Sequence, residues 1–170
     1  MNLMREIHVE KVTLNIGVGS PGDKLDKAMR LLKNISGRKP VQTSSDKRIP
    51  TWGVRPKLPI ACKVTVRGKE ASKLLKRLLS AMDNSISMRK FDKFGNFSFG
   101  IKEYIDIPEV PYEASIGVIG LEAAVTLSRK GFRIKRRSKL KRKIPSRHNI
   151  SDVQAMDFMK KEFSLVLEDE

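Results

Sequence analysis

The sequence has few of the residues from which disulfides, metal centres and most catalytic sites are built. One cysteine, Cys62, and two histidines, His8 and His148, occur in 170 residues. A lone cysteine cannot form an internal disulfide, and a structural zinc site needs more ligands of these two types. Neither histidine has an evident nucleophile and orienting acid beside it. The composition therefore favours a protein that is not an enzyme and that uses no metal or other cofactor.

Long hydrophobic runs are also absent. The first twelve residues contain no apolar run typical of a signal peptide, and no stretch of about 18 apolar residues occurs anywhere. A helix lying on a membrane would need a broad apolar face beside a basic one, and none is evident. We therefore expect a cytoplasmic protein that does not bind membranes.

Acidic residues are scarce relative to basic ones, at 19 against 35, and the net charge is +16. Such an excess is typical of proteins that bind nucleic acid. Eleven basic residues and no acid lie between Arg129 and Arg147. Like charges at this density repel unless a polyanion neutralises them, so we expect this basic segment, residues 129–148, to contact phosphates. The expected contacts are Arg133, Lys135, Arg136 and Arg137.

Apolar residues alternate with polar ones in four segments, which is the pattern of half-buried strands. The predicted strands lie at Glu10–Val18, Ile60–Val66, Phe97–Ile107 and Ala123–Leu127. Cys62 falls on the core side of the second strand. In the third strand, the residues expected on one side are Phe97, Phe99, Ile101, Ile105 and Ile107.

Apolar residues at helical spacing predict three helices. Ser20 is expected to cap the first helix and Gly37 to end it. The second helix carries an apolar stripe over Leu74–Met82, and the third begins at Ser151, where Gln154 completes a capping box. Together with the strands, these helices predict an α+β fold in which an antiparallel or mixed β-sheet has helices packed on one face.

Long basic loops complete the predicted single domain, which spans residues 1–170. The segment of residues 42–59 contains Pro50, Pro56 and Pro59 but little apolar periodicity, so it is predicted to be an extended loop. Its tryptophan, Trp52, lies among basic and hydroxyl side chains. An exposed tryptophan there would stack on a base or a sugar, whereas a buried one would fix the loop to the protein's own core.

The polar sides of the first two strands form a further candidate site. If these strands share a sheet, Thr13 and Asn15 are expected to lie near Lys63, Thr65 and Arg67. Such a surface suits RNA, because cations meet phosphates while amide and hydroxyl groups reach 2′-hydroxyls and base edges. The same pattern is equally compatible with strand residues that are merely solvated.

The best argument for an enzyme is a G-x-G-x-x-G motif formed by Gly17, Gly19 and Gly22 between a predicted strand and a predicted helix. This is the context of a dinucleotide-binding turn. The acidic residue expected about 20 positions later is missing, since Lys39–Thr43 contains no carboxylate. A dinucleotide-binding enzyme and a non-specific basic RNA chaperone therefore remain as alternatives to specific RNA binding.

Four motifs in the same order resemble those of a known family. They are LNIGVGS at Leu14–Ser20, SGRKPVQT at Ser36–Thr43, PIACKVTVRG at Pro59–Gly68 and GNFSFGIKEY at Gly95–Tyr104. Together they resemble the uL-five family of large-subunit ribosomal proteins, in its archaeal and eukaryotic form. The resemblance implies a structural protein that binds 5S rRNA and helps attach it to the large-subunit rRNA in the central protuberance.

The resemblance also implies contact residues and partners. Asn15 and Thr65 match family positions associated with 5S rRNA, and Arg38 stands where the bacterial pattern often has a glutamine. The full set expected to bind rRNA is Thr13, Asn15, Arg38, Lys39, Gln42, Thr43, Lys63, Thr65, Arg67, Arg133, Lys135, Arg136 and Arg137.

The segment Ser45–Pro59 resembles the family's loop that reaches toward the P-site tRNA. The expected tRNA contacts are Lys47, Arg48, Thr51, Trp52, Arg55 and Lys57. Two protein partners are implied as well, a 5S-binding protein of the uL-eighteen family and a protein in the head of the small subunit, to which the family forms a bridge. The resemblance assigns no residues of this chain to that bridge.

Overall fold

A five-stranded antiparallel sheet organises the computed structural model, which describes residues 2–168. Its strands are β1 Ile7–Gly17, β2 Val41–Ser44, β3 Pro59–Arg67, β5 Phe97–Ile101 and β6 Leu121–Arg129. They lie in the order β2-β3-β1-β6-β5, and all neighbours run antiparallel. A separate parallel pair joins β4 (Ser85–Ser87) to β7 (Val166–Glu168). The predicted α+β class and antiparallel sheet are confirmed.

One face of the sheet carries the hydrophobic core. The alternation seen in the sequence places Val12, Leu14 and Ile16 of β1 inward, and they are almost fully buried. Three helices, α1 (Asp23–Ser36), α2 (Lys69–Ser80) and α3 (Asp152–Phe163), contribute apolar residues to the same core. The predicted packing of helices on one face is therefore confirmed, and none of the helices within residues 2–168 covers the opposite face.

Cys62 lies on the core side of β3, as its position in the alternating pattern predicts. It is fully buried, and burial raises the pKa of its thiol to about 11, because a thiolate would be poorly solvated there. Its role is therefore packing.

The predicted start of the first helix is wrong. Ser20 does not cap α1, which begins at Asp23 after Gly22. The physical reason lies just before it, where the backbone N–H groups of Val18 and Gly19 donate to the carbonyl of Ile60 at 2.9 and 2.8 Å. These bonds hold the chain against β3 until Gly19, so the helix starts later. Its predicted end at Gly37 is confirmed.

Two further expectations about strands are corrected. The strand that starts at Phe97 ends at Ile101, and a 3-10 turn over Tyr104–Asp106 leaves Ile105 exposed while Tyr104 fills the core. Residues 41–44 form the edge strand β2, so the loop predicted over 42–59 begins at Ser45. The sequence of β2 has no apolar alternation, because an edge strand with solvent around it does not need one.

The start of α3 agrees with the sequence. Ser151 accepts a hydrogen bond from the Gln154 backbone N–H at 3.3 Å, and the Gln154 side chain accepts from the Ser151 N–H at 3.4 Å. The same Gln154 side chain accepts a bond of 2.9 Å from Arg129, which also donates to the carbonyls of His148 and Asn149. The capping box therefore attaches α3 to the end of β6.

Candidate RNA-binding surface

The side of the sheet opposite the helices, here called the open face, presents three facing pairs from β1 and β3. They are Lys11 with Arg67, Thr13 with Thr65, and Asn15 with Lys63. The two threonine hydroxyls are 3.4 Å apart. The polar residues that were expected to lie near one another if the strands shared a sheet are thus brought together. Hydroxyl, amide and cationic groups thus lie side by side along about 13 Å of the two strands and form a hydrogen-bonding, basic surface.

The other half of the open face is made of small residues from β5 and β6. Ser98, Gly100 and Ala124 lie beside Thr13 and Asn15 around a depression of about 340 Å³. A backbone or sugar can approach closely there, because these small side chains leave room for it. One acid, Glu122, lies at this depression, and its carboxylate accepts a bond of 3.4 Å from the Asn15 amide.

Lys90 also lines this depression, and the sequence reasoning missed it. It belongs to a 3-10 turn over Met88–Lys90, and the bridge between Phe91 and Phe97 brings that turn to the edge of β5. Periodicity carries no signal for such a position. A lone lysine in a turn gives no indication of the surface that it will border.

Residues after α1 flank the open face on its β2 side. Arg38 and Lys39 line a depression of about 520 Å³ together with Lys63 and Thr65. Arg38 is paired with Glu70 of α2, and both side chains are largely exposed. The Arg38 guanidinium, although it belongs to a residue at this depression, is therefore engaged with an acid.

The two candidate residues of β2 lie on opposite faces. Thr43 faces Ala61 on the open-face side, and its buried hydroxyl has no hydrogen-bond partner among the described residues. Gln42 faces Cys62 on the helix side, and its amide lies 3.3 Å from the sulfur of Met29. The structure thus places Thr43, but not Gln42, next to the other open-face candidates.

A nearly buried acid marks the end of the open face near the basic segment. A β-bulge between Val9 and Lys11 puts Glu10 on the open face, where its side chain is 12% exposed. Its carboxylate accepts hydrogen bonds from Arg136, in a two-pronged contact, and from Arg67 at 3.3 Å. The Arg136 hydrogen bond is the main cause that lowers the pKa of Glu10 below its ordinary value, against the opposing effect of burial.

The basic segment is anchored at several points rather than free along its length. Phe132 is buried in the core, and Lys135 lies over its ring at 4.8 Å from the centroid. Arg137 donates to the carbonyl of Leu140 at 2.8 Å. All four expected phosphate contacts, Arg133, Lys135, Arg136 and Arg137, are exposed, although Arg136 is paired with Glu10.

The loop of residues 45–58 is an extension of the β2–β3 hairpin. Ile49 and Val54 form a bridge with hydrogen bonds of 2.9 and 3.1 Å, and the 3-10 turn Pro50–Trp52 makes its tip. Val54 is buried whereas Trp52 is 74% exposed. Trp52 therefore does not fix the loop to the core. All six expected tRNA contacts are exposed on this loop: Lys47, Arg48, Thr51, Trp52, Arg55 and Lys57.

Two family models together match most of the chain. The model described as "Ribosomal protein L5" matches residues 2–55, and the model for the C-terminus of the same ribosomal family matches residues 59–149. The chain belongs to the uL5 family of ribosomal proteins.

Relatives named "Large ribosomal subunit protein uL5" agree with this assignment. The one from Methanosphaera stadtmanae is 43% identical over 99% of this chain and 100% of its own length. The one from Nitrosopumilus maritimus is 48% identical over 96% and 95%, and the one from Nanoarchaeum equitans 48% over 95% and 96%. The chain is thus a large-subunit ribosomal protein, in agreement with the expected structural role and cytoplasmic location.

Because the chain belongs to the uL5 family of ribosomal proteins, it is a structural protein and not an enzyme. The sheet topology agrees, because a dinucleotide-binding unit needs β1 and the strand after α1 to be neighbours, whereas here β3 lies between β1 and β2. Gly19 and Gly22 have φ values of 84° and 119°, so the motif is a turn that needs positive φ. The dinucleotide alternative is therefore wrong.

Within residues 2–168, no helix combines the length and apolar character needed to cross a membrane. No group of three or more histidine, cysteine, aspartate or glutamate side chains is arranged to hold a metal ion in that part of the chain.

Proposed function

We propose that this uL5-family chain binds 5S rRNA through the open face and helps attach it to the large-subunit rRNA in the central protuberance. The observation that carries the proposal is the set of facing pairs Lys11–Arg67, Thr13–Thr65 and Asn15–Lys63, on the sheet face opposite the helices. An antiparallel sheet can keep a polar, solvated outer face, but here that face pairs cations and hydrogen-bonding side chains in register across two strands.

The chemistry of these pairs suits an RNA minor groove. A-form RNA exposes 2′-hydroxyls and base edges in a wide, shallow minor groove. The Asn15 amide and the Thr13 and Thr65 hydroxyls both donate and accept hydrogen bonds, and the lysine and arginine beside them meet phosphates. A sheet face with small residues in its other half leaves room for a shallow groove.

The basic segment supports a second RNA contact. Its exposed cations, among them Arg133 and Arg137, lie beyond the Lys11–Arg67 end of the open face and continue the positive surface. We assign Arg133 and Arg137 to the large-subunit rRNA, whereas Arg136, which is held by Glu10, stays with the open face, so that one molecule joins two RNAs. A 5S-binding protein of the uL-eighteen family acts beside this chain in the same proposal.

The hairpin loop is assigned to the P-site tRNA. Trp52 at its tip is exposed, and Lys47, Arg48 and Arg55 are exposed on the same loop, which suits stacking on a nucleotide with phosphate contacts nearby. A bridge to a protein in the head of the small subunit completes the proposal, without assigned residues.

The test of 5S rRNA binding compares the wild-type chain with the variant Asn15→Ala/Thr65→Ala. Binding to 5S rRNA and to a structured RNA of the same length is measured at several salt concentrations. We expect the variant to bind 5S rRNA about tenfold more weakly, since two hydrogen-bonding groups are lost. The control Ser72→Ala/Ser80→Ala on α2, on the other side of the sheet, should bind as the wild type does.

Two results would contradict this proposal. Unchanged 5S affinity of the Asn15→Ala/Thr65→Ala variant would discard the open face as the recognition site. Equal affinity of the wild type for both RNAs at every salt concentration would favour the non-specific RNA chaperone instead.

The tRNA proposal is tested in large subunits reconstituted with Trp52→Ala. Base stacking contributes about 1–3 kcal/mol, so we expect P-site tRNA to bind at least fivefold more weakly. Tyr112→Ala removes another exposed aromatic residue and serves as the control. Identical tRNA affinity for both variants and the wild type would discard the loop assignment.

A further inference from the structure

An acid nearly buried in the most basic part of the molecule needs an explanation. Glu10 lies where the open face meets the basic segment, and a carboxylate at this position repels RNA phosphates. Its burial also costs solvation free energy, which its two arginine contacts offset. Because Glu10 neither attracts RNA nor gains free energy from burial itself, we expect it to have a different role in this surface.

The contacts of Glu10 show what that contribution is. Arg67 belongs to β3 and Arg136 to the basic segment, and these two parts of the chain meet through one carboxylate on β1. The β-bulge makes this possible, because it sets two residues of β1 opposite one residue of β6. Both arginine side chains stay accessible, at 57% exposed for Arg67 and 45% for Arg136.

We propose that Glu10 is a positioning residue for RNA recognition, which fixes Arg67 and Arg136 so that the open face and the basic segment form one continuous RNA-binding surface. This inference rests on the proposed function. An arginine has five N–H donors, and the bonds to Glu10 use only some of them. The remaining donors are held in fixed directions, so less side-chain entropy is lost when they bind RNA.

The test exploits two effects of opposite sign. Glu10→Gln removes a negative charge, so general electrostatics predict tighter binding to every RNA. Loss of positioning instead predicts a lower preference for 5S rRNA. Binding of the full chain to 5S rRNA and to a structured RNA of the same length separates the two effects, because their affinity ratio is insensitive to a uniform change in attraction.

Glu6→Gln is the matched control. Glu6 precedes the same strand and pairs with Lys130 at 3.5 Å, with both side chains about half exposed. Glu6→Gln changes the net charge by the same amount as Glu10→Gln but leaves the contacts of Arg67 and Arg136 intact. It should therefore leave the affinity ratio unchanged. For Glu10→Gln we expect the ratio to fall at least fivefold, with affinity for the unrelated RNA unchanged or higher. An unchanged ratio in Glu10→Gln would overturn the inference.

A second comparison asks whether Glu10 acts through the two arginines. If it does, adding Glu10→Gln to Arg67→Gln/Arg136→Gln should leave the affinity ratio unchanged, whereas an independent role of Glu10 predicts a further loss. Far-ultraviolet circular dichroism and urea midpoints confirm that each variant is folded before binding is measured. A wild type without 5S preference would refute the proposed function, while a wild-type preference retained in Glu10→Gln would refute only the role of Glu10.

Discussion

Gly95 lies in the turn before β5, against the start of α3. Its φ is 75°, and a β-carbon there would stand 2.7 Å from the Cγ2 atom of Ile150 and 3.0 Å from the β-carbon of Ala155. Both strain and crowding oppose any side chain. We expect Gly95→Ala to lower the free energy of unfolding by about 2–4 kcal/mol in urea denaturation.

Gly53 provides the control for this prediction. It has a similar φ of 64°, but a β-carbon there meets open space. Gly53→Ala should therefore cost only the backbone strain, about 1 kcal/mol. Equal losses for the two variants would show that contact with α3 contributes nothing.

Glu10 also makes stability depend on pH. The Arg136 hydrogen bond holds the pKa of Glu10 below the 4.5 of an unperturbed glutamate, so its contribution is fully present above pH 4.5 and disappears as the pH falls through the folded-state value. We expect the free energy of unfolding of the wild type to be about 1 kcal/mol larger than that of Glu10→Gln at pH 7. This difference should shrink below pH 4.5. Urea unfolding at each pH measures this difference, and a difference that stays constant down to about pH 3 would contradict it.

At the scale of elements, the capping box of α3 is also a tertiary attachment. Ser151→Ala removes the side-chain acceptor for the Gln154 N–H and should lower the free energy of unfolding by about 1 kcal/mol. Ser138→Ala, in the exposed part of the basic segment, should leave it unchanged. Thermal unfolding of both variants checks this, and equal midpoints would refute the contribution of the cap.

The elements that sequence patterns predicted well are those with one buried side. Apolar and polar residues alternate along β1, β3 and β6, because side chains on the core face are buried and those on the open face are not. The edge strand β2 lacks that contrast, and the start of α1 depends on bonds to the distant Ile60 carbonyl. Local patterns therefore miss features that are decided by partners far along the chain.

At the scale of the whole molecule, the placement of charge matters more than its sum. Arg133→Ala/Arg137→Ala and Lys160→Ala/Lys161→Ala lower the net charge equally, but the second pair lies on α3. If the basic segment contacts phosphates, the first variant should flatten the plot of log affinity against log salt by about 1.5 units for large-subunit rRNA fragments. Lys160→Ala/Lys161→Ala should leave the slope unchanged. Equal slopes in the wild type and both variants would discard the assignment of the basic segment to phosphate contacts.

The sequence predicted which kinds of side chain form the candidate surface better than it predicted which residues belong to it. The pairing of Thr13 and Asn15 with β3 follows from two polar strand faces in one sheet. Lys90 joins through a turn, Gln42 lies on the other face because of the β2 register, and Glu10 turns outward only because of a bulge. Such register and bulge effects arise from pairing between strands, which one strand's sequence does not contain.

The strand order has a consequence for how the chain is made. β1 is the first strand to leave the ribosome that synthesises it, yet it lies at the centre of the sheet between β3 and β6. At about 5–20 residues per second, roughly 5–20 s pass between the end of β1 and the end of β6. During that interval, at least one hydrogen-bonding edge of β1 is unpaired, because β6 has not yet been made. The sheet is therefore completed late in synthesis, and until then β1 presents an edge that could pair with other chains.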